Sequence, residues 1–477
     1  MSLHNSRANA IERVSAYFDD GRFYASLQRR VAVKTESQDS ESLSILLGYL
    51  REQLAPALEA LGFTWTVLEN PIAGKSPFLI AERIEPGATY TVLTYGHGDV
   101  VRGYDAQWRT GLSPWKIVVE GDKWYGRGTA DNKGQHTINL VALAEVIAER
   151  GGVLGYNVKA IFEMGEEIGS PGLGEICAAN KQVLAADLFL ASDGPRLNAT
   201  RPTLFLGSRG NFNFEMRLEL RDGAHHSGNW GGLLRSPGIR LANALASMVS
   251  PTGKILVEKL RPSGLPQSVR DALKDIHVGG GPTDPEIDPQ WGEPGLTPEE
   301  KVFGWNSFDI MAFKTGNPEA PANAISGYAY AHCQVRYVVG SDGSQFLQYI
   351  RDHLDSLGYS DIELKITSTM MPATRLDPTD PWVNWGLTSI AKTTGKKPAL
   401  LPNLGGSLPN EVFSDILGLP TLWVPHSYPA CSQHAPDEHI LASTTRESLQ
   451  VMAGLFWDLA EQGASVVASR NAGLSAG

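Results

Sequence analysis

Two adjacent carboxylates, Glu166 and Glu167, stand between Gly155-Tyr156-Asn157-Val158-Lys159-Ala160-Ile161-Phe162 and Gly169-Ser170-Pro171-Gly172. The first run has the β-branched and aromatic residues of a strand, and the glycines and proline behind the pair turn the chain sharply. The pair therefore sits just past a strand end, where ligands bind in an open α/β sheet. Carboxylates side by side repel unless a cation lies against them. Taken alone, Glu-Glu is a solvated acidic turn; other residues of the same chemistry change that reading. His97 and Asp99 leave a strand at Thr89–Tyr95 within Gly96-His97-Gly98-Asp99, two residues apart and hence on one face of an extended chain. An imidazole with a carboxylate beside it is the arrangement metal sites use to orient a histidine. Asp131 follows the glycine-rich turn Gly126-Arg127-Gly128-Thr129-Ala130, where it also suits the cap of the next helix. Asp193 ends the apolar strand that begins at Asp187, before Gly194-Pro195, and His434 lies in Ser432-Gln433-His434-Ala435-Pro436-Asp437-Glu438.

Two histidines and three carboxylates, His97, Asp131, Glu167, Asp193 and His434, form a borderline-hard donor set suited to zinc, manganese or cobalt. Five protein ligands are too many for one tetrahedral zinc. They fit two ions if one carboxylate, placed centrally, bridges both. Two such ions generate a hydroxide and clamp a tetrahedral intermediate, which leaves Glu166 free to act as general base on the water.

The elements that must position these residues follow from periodicity. Residues 8 to 62 carry apolar positions at helical spacing, among them Ile11, Val14, Tyr17 and Phe18, then Leu43, Leu46, Leu47, Leu50 and Leu54. Strands are predicted at Thr64–Leu68, Phe78–Glu82 and Thr89–Tyr95. A helix containing Ile138, Leu140, Val141, Leu143 and Val146 packs on the sheet. From about 209 the character changes. Gly210 to Leu220 and Ile325 to Val339 alternate as strands with one wet face, with helices near 239–249 and 345–357 and a strand near 362–367. Between them, 261–322 is rich in Pro, Gly and acids. The predicted organisation is a catalytic α/β domain over 1–208, an inserted two-layer α+β domain over 209–371, and a return to the first domain over 372–477. That last part closes with an amphipathic helix from Ser443 to Glu461 and a tail after Gly463 that frays.

Length and composition agree. A chain of 477 residues exceeds one ordinary core. With 42% hydrophobic and 19% charged residues it is an ordinary globular protein, and a net charge of -11 argues against nucleic acid and anionic membranes as partners. Three cysteines, Cys177, Cys333 and Cys431, at no metal-ligand spacing, imply a reducing compartment. Met1 to Arg7 lacks the apolar core of a secretory signal, and no apolar run is long enough to span a bilayer, so a cytoplasmic protein is expected.

Gly96-His97-Gly98-Asp99-Val100-Val101, Gly128-Thr129-Ala130-Asp131-Asn132-Lys133-Gly134, Glu163-Met164-Gly165-Glu166-Glu167-Ile168-Gly169-Ser170, Ser192-Asp193-Gly194 and His434-Ala435-Pro436-Asp437-Glu438 resemble, in order, the five motifs of one family. It is the co-catalytic zinc metallopeptidases, which include carnosinases, bacterial dipeptidases, aminoacylases, acetylornithine and succinyl-diaminopimelate deacetylases and glutamate carboxypeptidases. The resemblance covers about 90 to 440. It implies a mixed-sheet, zinc-exopeptidase-like catalytic domain with an inserted lid that mediates dimerisation. It further implies that His97 and Asp193 hold one zinc, that Glu167 and His434 hold the other, and that Asp131 bridges through a cis bond to Asn132. Glu166 is then the general base, and Asp99 orients His97. In the lid, His226-Ser227-Gly228 resembles the carnosinase-type motif whose imidazole reaches the other subunit's site. Asn323, followed by Arg336, resembles the family's substrate-carboxylate anchor, and Gly405-Gly406-Ser407 a loop that closes on it. Arg336 on its own reads equally as a surface strand arginine. Ser326 stands where the family usually has proline, and the doubled His225-His226 leaves a register ambiguity. The long lid favours the carnosinase-like branch.

The expected activity is hydrolysis of the amide of a dipeptide or N-acyl amino acid by two divalent ions, zinc first and manganese or cobalt as alternatives, in a homodimer. A deacylase of the acetylornithine type, a hydrolase of another C–N bond in an amino-acid-like molecule, and a binding protein that has lost the chemistry are the alternatives.

Overall fold

The apolar runs and the alternating runs segregate into two units in a computed structural model of the chain. One comprises Met1–Leu206, Leu376–Leu401 and Pro409–Gly477, the other Gly207–Arg375 and Pro402–Leu408. The structure describes residues 5–281, 284–368 and 370–476. Met1–His4 of the stretch read for a signal, Pro282 and Thr283 of the Pro- and Gly-rich stretch, Thr369, and Gly477 of the tail lie outside the described residues.

The first unit is built on an eight-stranded mixed sheet. Its strands in chain order are Thr64–Leu68 (β1), Phe78–Arg83 (β2), Thr91–His97 (β3), Asn157–Glu163 (β4), Leu188–Ala191 (β5), Thr203–Phe205 (β6), Ala399–Leu401 (β7) and Thr421–Trp423 (β8). They lie side by side as β1-β2-β4-β3-β5-β8-β6-β7. The central strands β4, β3, β5 and β8 run parallel, so their C-terminal ends share one edge. Helix α1, Lys133–Glu149, is buried on nearly every side. That is why its sequence is apolar all round rather than striped. Ile138, Val141 and Val146 join Val92, Val158, Phe162, Leu188 and Leu422 in a single core.

Two expectations need correction here. The helical stretch over 8–62 is interrupted: helices Arg7–Asp19 and Arg22–Val31 are followed by a non-helical stretch in which Glu36 makes a parallel bridge to Val100, before helical structure resumes at Ser40. β-Branched Val33 and Thr35 favour the extended form, and the gap is put to use. Thr35 Oγ1 donates to Gly98 O at 2.7 Å and Val100 N donates to Thr35 O at 2.9 Å, which supports the loop after His97. The tail does not fray after Gly463; helix α2 runs from Ala442 to Ala476. Val466 and Val467 pack on the core, Arg470 Nε donates to Asp380 Oδ2 at 2.8 Å, and the intervening alanines are strong helix formers.

The second unit is a four-stranded antiparallel sheet in the order Ser307–Thr315, Tyr328–Tyr337, Gly210–Glu219, Glu363–Ile366. Phe212, Phe214, Met216 and Leu218 alternate inward with Ala329, Ala331, Cys333 and Val335. They pack on Leu241, Leu245 and Met248 of one helix and Phe346, Ile350 and Leu354 of another. Strand Ser307–Thr315 emerges from the Pro- and Gly-rich stretch, where composition had hidden it. The three cysteines are buried and unbridged, and among the described residues no helix is long and apolar enough to cross a membrane.

Candidate metal centre

The C-terminal edge of the parallel strands collects the predicted ligands. β3 ends on His97, paired in register with Glu163 at the end of β4. A short turn, Glu166–Ile168, follows β4, and Ser192-Asp193 follows β5. Asp131 precedes α1 across a cis peptide bond to Asn132. It is not the helix cap: that position is Asn132, and the Asp131 side chain turns to the histidines instead. His434 lies beyond β8 in a loop where Ser432, His434 and Asp437 all have positive φ near +60°, a strained conformation of the kind found at functional sites.

Asp131 holds the centre of the cluster. Its Oδ1 is 3.0 Å from His97 Nε2 and its Oδ2 is 2.9 Å from His434 Nε2. Asp193 Oδ2 stands 3.5 Å from His97 Nε2, and Glu167 Oε2 3.0 Å from His434 Nε2. Two ligand groups result, His97–Asp131–Asp193 and Asp131–Glu167–His434, each with its donor atoms within 4.8 Å of one another. The His97 side chain is fully enclosed, whereas that of His434 is 53% exposed, so the second group opens to solvent.

The electrostatics are those of a cation site. Against its own burial, hydrogen bonds from His434 and His97 hold the Asp131 carboxyl below the usual range. The bonds to Asp131 and then Glu167 raise the His434 imidazole to about 11. Against its burial, Asp131, Asp193 and Asp99 likewise raise His97. Burial and then Asp131 raise Glu167 to about 7. Protonated imidazoles here answer carboxylate charge that a metal ion would answer more strongly. Buried Asp193 Oδ2 and Glu167 Oε1 have no hydrogen-bond partner, as expected of atoms that ligate rather than accept. The donor set and these orphaned oxygens fit divalent ions.

Glu166 is half-buried beside the cluster, and desolvation raises its carboxyl well above the ordinary value, with Asp193, Glu167 and Asp131 adding to the effect against His97. Asp99 is fully buried, and its backbone oxygen lies 3.1 Å from His97 Nδ1.

Several residues here were not singled out from sequence. Gln433 Nε2 donates to Asp131 Oδ2. Gln135 Nε2 donates to Ala130 O at 2.9 Å and Gly194 O at 3.3 Å, while its Oε1 accepts from His426 N at 2.9 Å. It thereby ties the Asp131 and Asp193 loops together. Buried Glu163 accepts from Tyr95 and Ser170, and Glu438 sits behind the Asp131 loop. The signal available for Glu438 was its place in the His434 motif; for Gln135 there was none.

In the second unit, Arg336 Nη1 donates to Ser407 Oγ at 2.8 Å, and Ser407 Oγ donates to Arg209 O at 2.7 Å. Arg209 Nε donates to Gly405 O at 2.7 Å beside exposed Gly406. His226 and Asn323 meet elsewhere in the same unit. His226 pairs with Ala324, and Ser227 N donates to Asn323 O at 2.8 Å. Both residues are exposed. Ser326, in place of the family's proline, accepts at Oγ from Tyr328 N at 3.2 Å.

Known proteins resemble the chain in sequence and in fold. The chain is 26% identical over 369 residues, 74% of its length and 77% of the relative's, to the cysteinylglycine-S-conjugate dipeptidase of Corynebacterium striatum. It is 30% identical over 271 residues to the Beta-Ala-His dipeptidase of Mus musculus, a match that spans about half of each protein (53% and 54%). Among solved structures, the M20 family metallo-carboxypeptidase Sso-CP2 from Sulfolobus solfataricus shares the fold with a TM-score of 0.78 and 23% identity, over 91% of this chain and 98% of that one. Residues 93–458 match peptidase family M20/M25/M40, and the chain belongs to that family.

Proposed function

We propose that this protein is a metal-dependent dipeptidase that works with two divalent ions, zinc first among them, and uses Glu166 as its general base. The observation that carries the reading is the division of Asp131, one oxygen facing His97 and the other His434, which makes two ligand groups from five residues. The relatives named as dipeptidases support the substrate class.

Bound there, the ions supply Lewis acidity towards the scissile carbonyl and a nucleophile at neutral pH. His97 and Asp193 would hold one, Glu167 and His434 the other, with Asp131 shared between them. Glu166 takes the proton of the attacking water on its carboxylate and returns it to the leaving amine. Its half-burial among carboxylates keeps it basic enough for both transfers. Asp99 orients the His97 ring. Arg336, with Ser407, Gly406 and Asn323, receives the substrate's carboxylate; a guanidinium fork fits that group bidentately. His226 serves the partner's site in a homodimer and stabilises the oxyanion there. The inserted unit has a surface suited to a second copy. Strand Ser307–Thr315 ends its sheet and exposes Ile310, Met311 and Phe313 by 41–64%, an edge that proteins otherwise protect. Free buried cysteines fit a cytoplasmic setting.

Two measurements test the reading together. Elemental analysis after purification without chelator should give two ions per chain. Full activity at one ion per chain would remove the bridging role of Asp131. A panel of dipeptides against N-acetyl and N-succinyl amino acids, with zinc, manganese or cobalt added, should show dipeptides turned over fastest. Preference for the acylated amino acids would make the protein a deacylase.

A further inference from the structure

Glu438 is the most heavily hydrogen-bonded carboxylate near the metal centre that neither binds metal nor moves a proton in the reading above. It is fully buried. Its Oε1 accepts three backbone amides, Gly128 N at 2.9 Å, Ala130 N at 3.0 Å and Asp131 N at 3.2 Å. Its Oε2 accepts from Arg127 Nη1 at 2.6 Å, an ion pair in which both side chains are at most 1% exposed. Arg127 is itself held by Arg102 O at 3.2 Å and by the face of Trp108. The glycine-rich turn is thus wrapped around one oxygen atom. A carboxylate taken out of water costs several kcal/mol unless it is paired and its lone pairs are filled; here both conditions are met, so the arrangement is rigid.

We propose that Glu438 is a positioning residue that fixes Asp131 between the two ligand groups. The amide of Asp131 is one of the three that Glu438 holds, so its backbone cannot rotate without breaking that bond. The side chain is left to present one oxygen to each histidine. Glu438 also lies four residues after His434, and Gly126 N donates to its backbone oxygen at 2.9 Å. One short segment therefore supplies a ligand to the solvent-open group and sets the carboxylate that both groups share. Gln135 braces the same turn from the other side through Ala130 O. A purely structural role would make Glu438 matter for folding and leave metal affinity unmoved; a positioning role makes affinity the sensitive quantity.

The inference rests on Asp131 being a ligand, and the test separates the two. Metal-free full-length protein is titrated with Zn²⁺ against a chromophoric chelator, and its thermal midpoint is read in parallel. Glu438→Asp keeps the charge and withdraws the oxygen from the amides; Glu438→Gln forces an amide NH₂ against either Arg127 or the turn. Both should weaken Zn²⁺ binding about 10–100-fold, the range seen when outer-shell partners of metal ligands are removed. Arg127→Gln combined with Glu438→Gln gives that NH₂ an acceptor and should recover most of the affinity. A folded Glu438→Asp with wild-type affinity overturns the proposal, whatever its thermal midpoint. Asp131→Asn is the control. If it binds Zn²⁺ as well as wild type, the metal reading itself fails. If it loses binding while Glu438→Asp does not, only the role of Glu438 fails.

Discussion

The carboxylate of Asp99 accepts one amide hydrogen from Glu166 and one from Glu167, each at 3.2 Å and each on a different oxygen, while its Oδ1 stands 3.3 Å from His97 Nδ1. One side chain therefore sets the His97 ring at the end of β3 and the backbone of Glu166 and Glu167 after β4. Asp99→Asn can satisfy only one of the two amides and turns an NH₂ on the other. Metal affinity should fall about 10–100-fold, and kcat at saturating metal should fall as well because Glu166 is no longer aligned. Chelator competition and steady-state kinetics check the two separately; an unchanged kcat would confine Asp99 to His97.

Glu166 and Glu167 are neighbours with different surroundings. Glu167 Oε2 faces His434, and Glu166 belongs to neither ligand group. Glu166→Gln should keep both ions and lose about 10²–10⁴-fold in kcat, the usual worth of a general base. Glu167→Gln should lose metal. Elemental analysis of the two variants beside their rates decides, and loss of metal from Glu166→Gln would exchange the two roles.

Arg336 already spends one guanidinium nitrogen on Ser407 and its Nε on Gln334 Oε1 at 3.2 Å. The proposal leaves three N–H groups, two on Nη2 and one on Nη1, for substrate. Arg336→Ala should raise KM for dipeptides with a free carboxylate far more than for the corresponding amides. Equal losses for both classes would return Arg336 to the status of a strand arginine that braces the Ser407 loop.

The mixing test concerns His226, exposed beside Asn323 in the inserted unit. Neither His226→Ala nor Glu166→Ala should be active alone. Co-refolded, random pairing in a two-fold dimer makes half of the dimers mixed, with one site carrying both defects and one carrying neither, so roughly a quarter of wild-type sites should return. No recovery in a mixture shown to exchange subunits would mean that His226 acts within its own chain or not at all.

Glu163, the register partner of His97, offers a pH prediction. Burial, with Asp99 adding to it, raises its carboxyl to about 8 from an ordinary 4.5, against hydrogen bonds from Tyr95 and Ser170. The folded chain keeps this proton up to about pH 8, and the unfolded chain releases it from about pH 4.5. Unfolding therefore releases a proton within that window, and stability falls as pH rises through it, by up to about 1.4 kcal/mol per pH unit. Glu163→Gln accepts the same two hydroxyls and cannot ionise. Its thermal midpoint should decline less than that of wild type between pH 5 and 8. Parallel curves would show that Glu163 is ionised in the folded chain.

The cluster was legible because each of its members is a strong donor placed where a strand stops or a glycine or turn lies beside it; His97, Asp131 and Asp193 announce themselves in that way as candidate ligands. The residues that hold them were not, because their partners are far off in sequence. Arg127 meets Glu438 across 311 positions, and Gln135 reaches Gly194 across 59. No local pattern encodes either contact. The strand Ser307–Thr315 was hidden for a different reason. As the outer strand of its sheet it has residues exposed on both faces, so it lacks the apolar alternation that revealed Gly210–Glu219. The break at Thr35–Ser37 was masked by helical spacing on either side of it; two β-branched residues hint at it locally, and the hydrogen bonds to Gly98 and Val100 hold it.

The second unit is assembled from two separate pieces of chain, Gly207–Arg375 and Pro402–Leu408. The shorter piece carries Ser407, and the longer carries Arg336, which donates to it. Four junctions, rather than two, thus separate this unit from the rest. In terms of inheritance, the unit is not a cassette. A recombination event that replaced 207–375 alone would seat a foreign arginine over the old loop. Exchange of this unit between relatives therefore has to carry both segments, and the two would be expected to vary together.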